Sequence, residues 1–172
     1  MTGPRALLLF VLGIFAVSGC NGRSEQRAPS SKARGAGAAG SREKPQVKKR
    51  TQPAPPLEQF VQQHVEEADA QGMRVLVYVG ATWCEPCQVF HRALASGELD
   101  EALAGTKFVE FDADRDRAEL RAAGYAFQYI PSFSVPDHSG HASGRGIEGS
   151  IKGADAVKRD LVPRLLALLD GK

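Results

Sequence analysis

The 172-residue chain carries 22 Lys and Arg against 20 Asp and Glu, a formal net charge of +2, so overall charge points to no polyanionic or polycationic partner. That balance hides two opposed regions: Arg23 to Arg50 holds nine basic and two acidic residues, whereas Thr51 to Lys172 holds twelve basic and eighteen acidic ones. The acidic region argues against nucleic-acid binding, and an odd count of three cysteines (Cys20, Cys84, Cys87) needs an explanation.

The N-terminus supplies one. Arg5 precedes the apolar stretch ALLLFVLGIFAV (6–17), which has the length of a signal-peptide core and falls short of the roughly 20 residues of a bilayer span. Val17-Ser18-Gly19-Cys20 follows, and it resembles the bacterial lipobox. The resemblance implies cleavage before Cys20, lipidation of Cys20 and anchoring by several acyl chains, which hold far better than one. Residues 1–19 are then a lipoprotein signal peptide, and the mature chain is expected in the bacterial cell envelope, facing the periplasm. Asn21, in place of the Asp that retains enteric lipoproteins in the inner membrane, leans toward the outer membrane without settling the matter.

Residues 20–56, with SSKARGAGAAGS and PQVKKRTQPAPP, lack apolar periodicity. Such a stretch buries too little apolar surface to offset its ordering entropy, so a disordered basic linker is expected, with an r.m.s. span of about 30–35 Å. Lys48-Lys49-Arg50 is either a solvated run or a contact for anionic headgroups.

From Leu57 the pattern changes. Leu57, Phe60, Val61, His64, Val65 and Ala68 mark one face of a helix that Gly72 stops. Met73 to Val79 reads as a buried central strand. Trp83-Cys84-Glu85-Pro86-Cys87 follows, and a helix should begin after Cys84 with Pro86 in its first turn. Cys87, Phe90, His91 and Leu94 share a face of that helix. Lys107 to Phe111 alternates as a strand, Asp116 to Ala123 as a short helix. Ser132 to Val135 and Gly146 to Ile151 read as strands joined by a turn-rich segment. Val157, Leu161, Leu165 and Leu168 mark a last helix, which Pro163 should kink. This order predicts an α/β fold: a mixed sheet with helices on both faces.

Trp-Cys-x-x-Cys directly after a buried strand, with Ile130-Pro131 before a later strand and Gly149-Ser150-Ile151-Lys152-Gly153 near the end, resembles the thioredoxin family over residues 57–172. GATWCEPC is similar to membrane-anchored reductases of cytochrome c maturation (the ResA type), though their extra insertion is missing. Cys87-Gln88-Val89-Phe90 and Ser96-Gly97-Glu98-Leu99 resemble the periplasmic C-terminal domain of the DsbD reductase. The resemblance implies a thioredoxin fold, Cys84 as nucleophile, Cys87 as resolving thiol and Pro131 as a cis-proline. Trp83, Glu85 and Pro86 then flank the pair, while Tyr129 and Ile130 border the substrate groove. It also implies a monomer without a cofactor, acting on protein thiols and disulfides and fed by a membrane electron donor, since the chain has no NADPH or flavin motif. Tyr78 and Glu110 stand where thioredoxins carry a buried Asp and its Lys partner.

Cys84 at a helix N-terminus should have a thiolate stabilised by unpaired N–H groups and the helix dipole. Glu85 opposes that, which favours a reductase over a strong oxidant. Three other readings stand beside it: a disulfide oxidase or isomerase, a copper handler using Cys84, Cys87 and His91, and a binding module with a vestigial site. Tyr78 and His64 read mainly as core packing, and His138 and His141 as loop residues rather than metal ligands.

Overall fold

The computed structural model describes residues 43–172. The expected signal peptide, Cys20 and the expected linker up to residue 42 lie outside the described residues.

The sheet runs in the order β1-β3-β2-β4-β5: β1 (Gln46–Lys49), β2 (Arg74–Gly80), β3 (Thr106–Asp112), β4 (Ser132–Pro136) and β5 (Ala142–Glu148). The first three in that order are parallel, and β4 and β5 are antiparallel additions. Helices α1 (Leu57–Ala70) and α3 (Arg117–Ala122) cover one face, and α2 (Glu85–Ala95) and α4 (Val162–Leu169) the other. The period of two along each strand divides the core: Leu76, Tyr78, Phe108 and Phe133 pack with α2 and α4, while Val77, Val79, Val109 and Phe111 pack with α1 and α3. Both faces of the central strands are buried, so they read as continuous apolar runs.

One correction concerns the expected linker, which was to run to residue 56. Gln46–Lys49 instead pair in parallel with Lys107–Glu110 of β3. This strand escapes a hydrophobicity reading because it buries almost nothing; Val47 is its sole apolar residue and is exposed. Backbone pairing and the next residue hold it. Arg50 is 2 % exposed, with Nη2 2.8 Å from Glu119 Oε2 and from the Pro55 carbonyl, and Nη1 3.4 Å from buried Asp116. Lysines on an edge strand also discourage pairing with other chains.

A second correction concerns β5, which starts at Ala142 rather than Gly146. The Asp137 carboxylate accepts hydrogen bonds from the backbone N–H groups of Ser139 and His141 (2.8 and 3.0 Å) and closes the turn early. Gly144 and Gly146 hide the strand in the sequence, yet Gly146 is required there, since a Cβ would stand 2.9 Å from the Phe133 carbonyl oxygen. At the C-terminus, Val157–Leu161 form a π-helical turn before α4, with Pro163 in the first turn of α4. Proline lacks an N–H and clashes with the carbonyl four residues back, and the wider turn accommodates it.

Candidate active site

The site lies beyond the C-terminal end of β2, where the chain turns through Ala81-Thr82-Trp83 into α2. Cys84 is the N-cap of α2, with Pro86 in the first turn. Its Sγ accepts a hydrogen bond from the Cys87 backbone N–H at 3.3 Å. An N-terminal helix amide and the aligned peptide dipoles therefore face the sulfur, the arrangement that stabilises a thiolate. Cys84 and Cys87 form a disulfide with a Cα–Cα distance of 5.2 Å. Both cysteines are buried, Cys84 at 4 % and Cys87 at 1 % exposure, and Cys84 is the one at the helix N-cap.

The expected flanking residues are placed as follows. Trp83 is 66 % exposed and donates its indole N–H to Asp114 Oδ2 at 2.8 Å. The Ile130–Pro131 peptide bond is cis. Val79 pairs with Ser132, so Pro131, one residue earlier on the antiparallel strand, falls beside the end of β2 from which the cysteine turn departs. Tyr129 is exposed and Ile130 partly buried. Glu148 Oε2 accepts from the backbone N–H groups of Gln128 and Tyr129 (3.1 and 3.0 Å), holding the segment before Pro131. The Gly149 N–H donates to the Pro131 carbonyl at 2.8 Å, and the Gly153 N–H to Glu85 Oε1 at 3.3 Å. The 149–153 loop thus ties the proline segment to α2 and carries Ile151, half exposed.

Behind the cysteines, Tyr78 and Glu110 are register partners on β2 and β3. Glu110 Oε1 lies 3.5 Å from His91 Nε2 and 3.3 Å from Lys49 Nζ. Burial alone would raise the Glu110 carboxyl, but His91 and Lys49 outweigh it and hold the group below the ordinary carboxylate range. Burial, helped by the Glu110 charge, pushes the Tyr78 phenol up. A cavity of about 360 Å³, lined by Lys49, Gly80, Thr82, Gln88, His91 and Glu110 among others, opens beside this group.

Four residues escaped the sequence reading. Asp114 and Glu148 sit in a loop and at a strand end far from the cysteine motif, and Lys49 lay in the expected linker. Ile151, at the expected end of β5, stands in the loop after it. His64, expected as packing, meets the Phe60 ring edge-on and contacts Glu67 through Nδ1 at 2.9 Å. Among the described residues, no group of three His, Cys, Asp or Glu side chains could hold a metal ion.

A family described as thioredoxin-like matches residues 57–137. Solved structures with a similar course include thioredoxin from Trichomonas vaginalis (22 % identity, TM-score 0.46, covering 73 % of this chain and 97 % of that one). Others are thioredoxin NaTrxh from Nicotiana alata (21 %, TM-score 0.43, covering 76 % and 98 %) and oxidised thioredoxin from Plasmodium falciparum (19 %, TM-score 0.42, covering 69 % and 97 %). No curated protein matches significantly. With Cys84 and Cys87 joined at the start of α2 inside the matched span, residues 57–137 form a thioredoxin-like domain.

Proposed function

We propose that the chain is a lipid-anchored reductase of the bacterial envelope that reduces disulfides of partner proteins. One observation carries the chemistry: Cys84 caps α2 with a helix amide on its sulfur, and Cys87 waits one turn behind. The Cys84 thiolate attacks one sulfur of a partner disulfide and expels the other as a thiolate, giving a mixed disulfide. Cys87, having lost its proton, attacks Cys84 Sγ, forms the Cys84–Cys87 disulfide and releases the partner sulfur as a second thiolate. Two electrons pass to the partner, and a membrane dithiol donor returns two to the chain.

The exposed apolar side chains around the pair support a protein partner. Trp83, Tyr129 and Ile151 are 66 %, 62 % and 50 % exposed; Glu148 holds the Tyr129 N–H, and the Gly153 N–H bond to Glu85 ties the loop that carries Ile151 to the cysteine helix. Glu85 supports the reducing direction, because a negative charge next to Cys84 disfavours the thiolate and hence the dithiol form. The lipobox at Val17–Cys20 supports the anchor.

The test is the potential of the Cys84–Cys87 couple in the full chain, equilibrated with glutathione or dithiothreitol. A value near the thioredoxin end, about −270 mV, is expected; one near −120 mV, roughly that of a strong oxidant, would reverse the proposed direction. Mass spectrometry of the membrane-extracted protein tests the anchor: a chain beginning at acylated Cys20 is expected.

A further inference from the structure

Tyr78 is wholly buried, stacked on Phe133 (ring centroids 5.0 Å apart, planes 16° apart) and edge-on to Phe90 at 5.3 Å. A phenylalanine would fill this space equally well. The hydroxyl is therefore the feature to explain, and it has no hydrogen-bond partner among the described residues. A buried polar group left unpaired is costly, and each such group in a folded protein calls for a reason.

Gly80 indicates the reason. A Cβ built there would stand 2.5 Å from the Tyr78 hydroxyl oxygen and 3.4 Å from Cys87 Sγ. The hydroxyl and the sulfur thus border the same point, which glycine leaves open. In the disulfide the Cys87 sulfur is a weak, uncharged acceptor held against Cys84. In the dithiol it is a thiol or thiolate, a better acceptor and no longer bound to Cys84. The other polar groups close by are His91 of α2, with its ring centroid 5.5 Å from that of Tyr78, and Glu110 on β3; His91 and Lys49 of β1 engage the Glu110 carboxylate, and none of them bonds the hydroxyl.

We propose that the Tyr78 hydroxyl is the hydrogen-bond donor that receives the Cys87 sulfur when the disulfide opens, so that Tyr78 sets how readily the pair is reduced. This rests on reading Cys84 and Cys87 as an exchanging couple. Reduced dithiothreitol supplies two electrons and two protons, closing to its own cyclic disulfide as the Cys84–Cys87 bond opens to two thiols. Tyr78 stabilises the product alone, and its unpaired hydroxyl penalises the reactant alone.

The experiment equilibrates the full chain and its Tyr78→Phe variant in mixtures of reduced and oxidised dithiothreitol and counts free thiols by alkylation. The variant is expected to shift the equilibrium about tenfold toward the disulfide, equivalent to about 30 mV more negative. Denaturant unfolding of each form gives a second reading. The substitution should raise the midpoint of the disulfide form and lower that of the dithiol form, whereas a packing role would move both alike. A third needs no variant: the Tyr78 hydroxyl-bearing carbon should change its NMR shift on reduction of the parent. A parent couple that responds to dithiothreitol but stays within twofold in Tyr78→Phe, or a Tyr78 resonance unmoved by reduction, overturns the Tyr78 proposal alone. A parent with no reversible couple overturns it together with the exchange reading.

Discussion

The Trp83 indole N–H points at Asp114 Oδ2, 2.8 Å away across the turn that follows β3. The Trp83 ring, 66 % exposed, is therefore fixed beside Cys84 by a carboxylate thirty-one residues later. Asp114→Ala frees the ring without touching the core. Its reduction rate on a protein disulfide should fall about three- to tenfold, while the rate on a small aromatic disulfide stays level. Stability should remain within about 0.5 kcal/mol, as for surface substitutions generally. Equal losses on both substrates would show that the ring does not contact the partner.

The order of attack gives a second expectation. Cys87→Ser should accumulate a mixed disulfide with a partner protein through Cys84, visible on a non-reducing gel and dissolved by dithiothreitol. Cys84→Ser should accumulate far less, because Cys84 holds the N-cap position where a helix amide faces the sulfur and Cys87 lies inside the first turn. Trapping of equal amounts by both variants would contradict the assignment of the nucleophile.

Arg50 tests whether the strand before α1 belongs to the domain. Its guanidinium is buried against Asp116 and Glu119, and removal of one partner from a buried charge cluster costs about 3 kcal/mol or more. Arg50→Ala should lower the urea midpoint accordingly, and a chain beginning at residue 51 should do the same. A loss below about 0.5 kcal/mol, the level of an ordinary surface site, would return residues 46–50 to the linker.

The same cluster sets the response to acid. Burial would raise the Asp116 carboxyl, but Arg115, the Asp112 N–H and Arg50 outweigh it and hold it below its ordinary value of 3.8. Glu110 likewise lies below its ordinary 4.5. A carboxyl whose folded pKa is depressed binds fewer protons folded than unfolded. Its stabilisation is therefore complete above about pH 5 and is lost as pH falls through the folded value. Unfolding followed from pH 7 down to pH 2 should show a steep loss below about pH 4, and Asp116→Asn should flatten it. An unchanged slope in that variant would mean that other carboxylates carry the acid response.

Gly80→Ala is expected to cost about 1–3 kcal/mol, the usual range for overpacking a core. The added methyl would meet the Tyr78 ring and hydroxyl, neither of which has room to retreat behind Phe133 and Phe90. Thermal or urea unfolding of the oxidised variant measures the loss directly.

Much of the fold was legible in the chain because its central parts obey simple periodicities. Leu57 to Ala68 repeats at helical spacing, and Val75 to Val79 is apolar on both faces because the strand is covered on both. The cysteine pair was legible for a related reason. A helix N-terminus stabilises a thiolate, and a strand, a short turn and a proline in the next turn spell one out.

What failed to show were features held by backbone pairing or by single long-range contacts. Gln46–Lys49 has no buried face, and β5 is built on glycines at a sheet edge, so neither leaves a hydrophobic trace. Asp114 and Glu148 look like ordinary surface acids until folding carries them to Trp83 and Tyr129. The sequence by itself determined the helix-capped cysteine pair and the alternation of strands and helices, because both follow from local spacing. Only the tertiary structure decided what stands behind Cys87. The parallel register of β2 and β3 sets Tyr78 against Glu110, and β1 and α2 then bring Lys49 and His91 to the same carboxylate. No local rule of spacing relates residues that meet across four separate elements.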